Sequence, residues 1–464
     1  MKSETPKVLF DVNDEPLCMA PFRALASCCD KIVVVVGYRG ADVKLALSEA
    51  AKREMGAARF ESQVLFVTQD PPRGTGDAVR RAIEGAGHAV SKSEEIIVLN
   101  GDLPLIRGTT IERFAKTCRA ERASSACLSF RTSNPKGLGR ILRDETGVFT
   151  GIREEADASA DEKRIREVNG GVYYFSAELL TREISSLQSG NAQGEFYLTD
   201  LLGAKPGRRS EAMLVRAPND LMGVNTTWEL AQARRIAQSR LQRALCEEKG
   251  VDFRDPASAF VSARAQFHGS CTIGPGVSIL GDSVIEAGVV IEGQVLLEKA
   301  IVRQNAKILW GCVIRESTVG VRSSVGPLAH LRPGTELEEG VRIGNFVETK
   351  KTRFGKNAKA AHLTYLGDAE IGEEANIGCG TITCNYDGFQ KHRTKVGARA
   401  FVGSDTQLIA PVVIGDDAYI ASGTAVTQDI PSGALALARA NLVIKPEYAK
   451  RLLDKKKKPS GSGK

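Results

Sequence analysis

The chain has 464 residues, enough for more than one domain, and its 42% hydrophobic content suffices for buried cores. No apolar run approaches the ~20 residues of a membrane span, and no signal-peptide pattern opens the residues given. The net charge is +7, with much of the excess in the lysines of 450–458, so composition argues against a nucleic-acid surface and suits small anionic substrates. The ten cysteines are scattered without CxxC spacing, and only Cys28 and Cys29 are adjacent. This predicts free thiols in a reducing cytoplasm and no zinc site.

Residues 1–222 read as alternating strands and helices. Apolar runs fall at 31–37 (KIVVVVG), 64–68 (VLFVT), 96–99 (IIVL), 126–130 (ACLSF) and 172–175 (VYYF). The alternation predicts a largely parallel, doubly wound α/β sheet, whose ligands sit beyond the carboxyl ends of the strands. The run at 96–99 ends in Asn100-Gly101-Asp102, which puts a carboxylate at a strand end. Asp102 is a candidate Mg²⁺ ligand there, although Asn-Gly-Asp is also ordinary turn chemistry. Arg73-Gly74-Thr75-Gly76 is a short loop able to contact a phosphate or a base.

Residues 223–250 predict a linker helix. Thr226 and Glu229 form a capping box, and Leu230, Ala233, Ala237, Leu241 and Leu245 follow at helical spacing, as a core-facing stripe.

From 272 to 427 an aliphatic residue recurs at every sixth position. It runs through Ile273, Ile279, Ile285, Ile291, Leu297, Val302, Ile308 and Ile314, with one residue dropped twice. It continues through Val319, Val325, Leu331, Leu337 and Ile343, and returns at Val396, Val402, Leu408, Ile414, Ile420 and Val426. Period six is neither helical nor that of a simple strand. It predicts a parallel β-helix over 251–437, with three hexapeptide faces per coil and the aliphatic residue pointing inward. A Gly often follows the aliphatic residue, as at Gly274, Gly344 and Gly403, where a Cβ at a tight corner would be costly.

The rhythm breaks between 345 and 395, around an inserted loop at 385–395 (NYDGFQKHRTK). This segment holds Lys350, Lys351, His362, Tyr365, Asn376, Asn385, Tyr386 and Lys391. His362 is the candidate base, since an imidazole titrates near neutrality and can take a proton from an amine. Lys350 and Arg332 are candidates to neutralise a phosphate. Residues 438–464 form a basic tail ending in PSGSGK, with a composition that predicts disorder.

These residues resemble the bifunctional bacterial N-acetylglucosamine-1-phosphate uridyltransferase / glucosamine-1-phosphate N-acetyltransferase family. The resemblance covers essentially the whole chain. Its most specific motifs are 331–334 (LRPG), 344–348 (GNFVE), 362–371 (HLTYLGDAEI), 381–388 (TITCNYDG) and 401–407 (FVGSDTQ). The resemblance implies a nucleotidyltransferase domain, then a left-handed β-helix, and a homotrimer with acetyltransferase sites between subunits. It implies that His362 deprotonates the sugar amine. Arg332, Lys350, Tyr365, Asn376 and Lys391 would hold glucosamine 1-phosphate. Cys379, Asn385, Tyr386, Ser404, Ser422 and Arg439 would lie along acetyl-coenzyme A. Cys379 and Ser422 stand where the family commonly has Ala.

In the first domain the resemblance implies that Lys7 contacts phosphate and that Gln69, Gly74 and Thr75 contact uracil. Asn100, Gly139, Glu154, Asn169 and Asn225 would hold the acetylated sugar and its phosphate, and Asp102 with Asn225 would bind Mg²⁺. The family's opening strand and Gly-rich loop, of the form LAAGxGTRM, is not in the sequence given, where Met1-Lys2-Ser3 stands at the end of that motif. The expectation is a crippled uridyltransferase, or a start assigned at an internal Met. The sequence thus predicts an enzyme making UDP-N-acetylglucosamine. An acetyltransferase alone and a non-catalytic β-helix regulatory subunit are the competing readings.

Overall fold

The computed structural model describes residues 4–87, 90 and 93–457. Met1, Lys2, Ser3 and the PSGSGK terminus lie outside the described residues. The chain forms two compact units, Met1–Ala244 with Val261–Ala263, and Leu245–Phe260 with Arg264–Lys464.

In the first unit the expected runs become strands at Ile32–Val36, Val64–Thr68, Glu95–Leu99, Ser125–Arg131 and Glu167–Ser176. The sheet is less parallel than the alternation predicts. Glu167–Ser176 runs antiparallel to Glu95–Leu99, Ser125–Arg131 and Arg140–Arg143. Parallel pairing joins Ser210–Leu214 to Ser125–Arg131, and Ile32–Val36 to Val64–Thr68. The latter two form a sheet of their own among the described residues, and Glu95–Leu99 pairs along one edge.

Pleating sends alternate residues of Glu167–Ser176 to opposite faces. Tyr173 and Phe175 join one core with Leu180, Leu198 and Leu201. Val172 and Tyr174 join the other, under Ile111, Phe114 and Cys118 of helix Gly108–Ala120. Both faces are thereby covered, the doubly wound arrangement expected for an α/β domain.

Helix Thr227–Lys249 starts with the expected reciprocal cap. Glu229 N–H donates to Thr226 Oγ1 at 3.1 Å, and Glu229 Oε2 accepts from Asn225 and Thr226 N–H at 2.7 and 2.8 Å. Its stripe is buried at Leu230 and Ala233, which pack on Val12, Leu17 and Leu105. Ala237, Leu241 and Leu245 are half-buried.

The second unit is a parallel β-helix with strands from Asp252–Phe253 to Leu435–Ala436. Ile273 pairs with Ile291, Ile291 with Ile308, and Ile308 with Val325, so three beats make one turn. Every aliphatic beat residue is at most 3% exposed. Each such burial contributes roughly 2 kcal/mol, and this is what holds a coil of two- and three-residue strands together. The glycines after the beat face the next turn. A Cβ on Gly274 would lie 1.0 Å from the Glu292 carbonyl oxygen, and one on Gly344 would lie 1.8 Å from that of Ala361. The need is close approach of backbones rather than an unusual φ. Buried threonines also line the prism, and Thr349 stands opposite the beat residue Leu331. Thr335 and Thr349 hydroxyls meet at 2.9 Å, and Thr352 donates to the Leu366 carbonyl at 2.9 Å.

The predicted disorder of 438–464 is corrected in part, because Tyr448–Lys457 is an α-helix. Its Ala, Arg, Leu and Lys residues are strong helix formers, and local propensity outweighs the polar composition. Among the described residues no helix is long and apolar enough to cross a membrane.

Candidate functional site

In the first unit Lys7 begins a short 3₁₀ turn, Lys7–Leu9. Its ammonium donates to Asp102 Oδ2 at 2.6 Å and to Asn225 Oδ1 at 2.8 Å. Asp102 follows strand Glu95–Leu99, and its carbonyl accepts from Val224 N–H at 3.1 Å, which fixes the chain before Asn225. Two hard oxygens thus converge on one cationic atom, at a strand end open to solvent. Such a donor set fits a Mg²⁺ that keeps waters and takes its other ligands from phosphate.

A second group forms around Asn169. A Cβ on Gly139 would lie 3.2 Å from Glu154 Oε2 and 3.5 Å from Asn169 Cβ, so these three face one space. Asn169 donates to Tyr173 Oη at 2.7 Å and accepts from Gly171 N–H at 3.1 Å. Gly171 in turn packs on Asn100, which donates its N–H to the Gly171 carbonyl at 3.0 Å. Burial raises the Glu154 carboxyl above its ordinary value, against the Thr199 hydroxyl that donates to it at 2.9 Å. Tyr173 and Thr199 were not singled out from sequence. They come from a strand core and a 3₁₀ turn that carry no motif.

Gln69, Gly74 and Thr75 form a third group. Gln69 Nε2 donates to the Gly74 carbonyl at 3.0 Å and to buried Asp77 at 2.9 Å. Thr75 opens helix Thr75–Ala86, and its hydroxyl accepts from Leu198 N–H at 3.1 Å. Gly74 has φ +101°, and a Cβ there would strike the Phe196 backbone at 2.7 Å.

In the β-helix, His362 lies on Lys359–Gly367, opposite Asn345 of Arg342–Lys350. The register carries upward, with Ala360 opposite Ile377, Ile377 opposite Val402 and Val402 opposite Ile420. Two residues further along each strand, His362, Cys379, Ser404 and Ser422 therefore stand in one column. Backbone bonds tie it, from Gly380 N–H to Leu363, from Asp405 N–H to Cys379 and from Gly423 N–H to Ser404, at 2.7–2.8 Å. All four side chains are exposed. At the spacing of neighbouring strands the column spans about 14 Å. Gly378, Gly380, Gly403, Ala421 and Gly423 flank it, so little side-chain bulk borders the column. Ala438 N–H reaches Thr424 Oγ1 at 3.3 Å, which sets exposed Arg439 at the upper end.

The cations gather toward the other end of the strand that carries His362, where Lys350 stands opposite Gly367. Lys391 lies within hydrogen-bond reach of Lys350 and holds its ammonium below the usual lysine value; Arg332 adds to the effect and Asp368 opposes it. Arg332 is paired with Glu348 at 2.8 Å. Glu348 is opposite Tyr365, and Lys350 is opposite Gly367. A Cβ on Gly367 would lie 2.4 Å from Tyr365 Oη and 2.8 Å from Asn385 Nδ2, so both crowd over that glycine. Asn385 donates to Asp368 at 2.6 Å. The inserted loop is pinned by a bridge between Tyr386 and Lys391, and by Asp387 against His392 at 2.7 Å. Gly367, Asp368 and Glu348 belong to this group and were missed as individual site residues, although all three lie inside the quoted motifs.

Asn376 is the exception. It lies in a neighbouring column, between Lys359 and Phe401, and no side-chain contact joins it to Lys350, Tyr365 or Lys391 among the described residues.

Residues 1–171 match the MobA-like NTP transferase domain, and residues 257–354 match the GMPPB C-terminal domain. A bifunctional protein GlmU of Pelobacter propionicus is 42% identical over 458 residues, 98% of this chain and 96% of that protein. A namesake in Sorangium cellulosum is 42% identical over 471 residues, covering 97% and 94%. Another in Geobacter sulfurreducens is 41% identical over 477 residues, covering 98% and 96%. With a nucleotidyltransferase-type α/β unit, a hexapeptide β-helix and relatives that match along nearly the whole length of both, the chain belongs to the bifunctional GlmU family.

Proposed function

We propose that the chain makes UDP-N-acetylglucosamine in two steps, acetylating glucosamine 1-phosphate in the β-helix and transferring uridylate in the first unit. The observation that carries the first step is the meeting of Lys350, Lys391 and Arg332 around Gly367, on the strand that also carries the exposed His362. Three cations with carboxylates too few to match them favour a dianionic phosphate. With the phosphate seated there, Tyr365 and Asn385 stand over the sugar, and His362 is the residue that would receive the amine proton. The His362 ring makes no side-chain hydrogen bond among the described residues, so a nitrogen is free to accept the amine proton. The amine nitrogen attacks the thioester carbonyl, the C–S bond breaks, and the thiol of coenzyme A leaves. The exposed column of Cys379, Ser404 and Ser422, with Arg439 at its end, suits an extended acyl carrier with an anionic terminus. Asn376, set apart within one chain, fits the reading if a neighbouring subunit brings it to the acceptor.

That reading takes support from a ridge on one prism edge. Trp310, Leu328, Phe346 and Leu363 are each about half exposed (46–60%). Leu328 N–H bonds to Trp310, and Phe346 N–H bonds to Leu328, so the ridge rises turn by turn. A contiguous apolar edge of this kind is suited to burial against other copies, and we propose a homotrimer whose acetyl sites lie between subunits.

For the second step, Asp102 and Asn225 would hold Mg²⁺, which when bound neutralises charge at the α-phosphate as the sugar phosphate attacks and pyrophosphate leaves. Lys7 would then move to phosphate. Gly139, Glu154, Asn169 and Asn100 would seat the acetylated sugar, and Gln69, Gly74 and Thr75 the uracil. All ten cysteines are free, which fits a cytoplasmic setting. The test is product analysis by mass spectrometry. Glucosamine 1-phosphate with acetyl-coenzyme A should yield N-acetylglucosamine 1-phosphate, and added UTP and Mg²⁺ should carry it to UDP-N-acetylglucosamine. Finding neither product would overturn the proposal.

A further inference from the structure

A pair of side chains in the first unit takes no part in these reactions. Helix Met19–Ala26 closes with Cys28 and Cys29, whose N–H groups both return to the Leu25 carbonyl, at 3.1 and 2.9 Å. Their sulfur atoms lie 3.9 Å apart and share a hydrogen bond. Cys28 is exposed and Cys29 is half-buried. Both line an open cavity of about 460 Å³, together with Asp30, Ser27, Ser62 and Arg59.

Two adjacent thiols have two obvious uses, and geometry separates them. Neighbouring Cα atoms lie about 3.8 Å apart across a trans peptide. Disulfides ordinarily need about 4.4–6.8 Å, so a bond here would be strained and readily reduced. Two thiolates on one tetrahedral d¹⁰ ion, at about 2.3 Å each, stand about 3.8 Å apart. The observed separation matches the second arrangement without rearrangement.

We propose that Cys28 and Cys29 form a chelating site for a thiophilic d¹⁰ cation such as Zn²⁺ or Cd²⁺. Two metal–sulfur bonds form, two protons leave the thiols, and no electrons are transferred. Water completes the coordination. Binding displaces both thiol protons, so acid opposes it.

The experiment titrates the reduced full chain with Cd²⁺, following the thiolate-to-metal charge-transfer band and competition with a chromophoric chelator. One equivalent should bind, and binding should weaken as pH falls. Cys28→Ser and Cys29→Ser should each weaken it at least tenfold, since one-point attachment replaces chelation. Cys246→Ser, an exposed single thiol, should leave it unchanged. No charge-transfer band at micromolar free Cd²⁺ would overturn the proposal, as would unchanged affinity in both variants.

Discussion

Lys7 Nζ stands 2.6 Å from Asp102 Oδ2, joining a residue near the start of the sequence to the turn that follows strand Glu95–Leu99. The bond marks the point where both a phosphate and a divalent ion are expected. Asp102→Ala should lower uridyl transfer by at least 100-fold, measured as pyrophosphate release. Acetyl transfer, measured as free coenzyme A, should stay within about twofold, because separate sites without shared partners act independently. A chelator of Mg²⁺ should reproduce the same split. Equal loss of both activities would mean that Asp102 supports the fold.

His362→Ala should reduce acetyl transfer by about 10²–10⁴-fold, the usual worth of a positioned base. The side chain is exposed and makes no side-chain hydrogen bond among the described residues, so the melting temperature should barely move. Turnover and melting measured on the same preparation decide it. Intact turnover with a lowered melting point would make the histidine structural.

Lys391→Ala should raise the KM for glucosamine 1-phosphate about tenfold or more, the size of one lost charge-assisted contact. It should also return Lys350 toward the ordinary lysine value, since Lys391 is the main cause of its depression. The basic limb of the pH profile for sugar-phosphate binding should then move to higher pH. An unmoved KM and an unmoved limb together would remove both lysines from the acceptor site.

Glu154 supplies a pH signature of stability. Its carboxyl is raised in the fold, chiefly by burial. The neutral form therefore stabilises the native state below the ordinary glutamate value, and that contribution is lost as pH rises through the raised one. Glu154→Gln keeps an acceptor for Thr199 and removes the charge. Its melting temperature should exceed that of the unsubstituted protein at neutral pH, and the difference should vanish in acid. A constant difference at all pH values would refute this.

Ile343→Asp should break the prism. Ile343 is 1% exposed, and an unpaired buried carboxylate costs several kcal/mol. Size-exclusion chromatography should show loss of the assembled, compact species. An unchanged soluble trimer would contradict the register assigned to the coil.

The hexapeptide rhythm by itself determined the β-helix, its strand positions and which residues line its interior. It could do so because each turn contacts only the next, so a local period dictates the whole stack. The capping box at Thr226 and Glu229 was legible for the same reason, since its partners are three residues apart. The motifs around His362 marked the candidate site, but their meeting was decided in three dimensions. Cys379, Ser404 and Ser422 join His362 only because the coil brings each back onto one edge, across an inserted loop that interrupts the count. Gly367 and Asp368 acquire their place from Tyr365 and Asn385 folding over them. The mixed sheet was likewise beyond the sequence. The apolar run at 172–175 announces a strand but not its direction, which long-range pairing with Glu95–Leu99 and Ser125–Arg131 decides. Lys7, Asp102 and Asn225 lie far apart along the chain, and only the closed α/β core brings their polar atoms to one point.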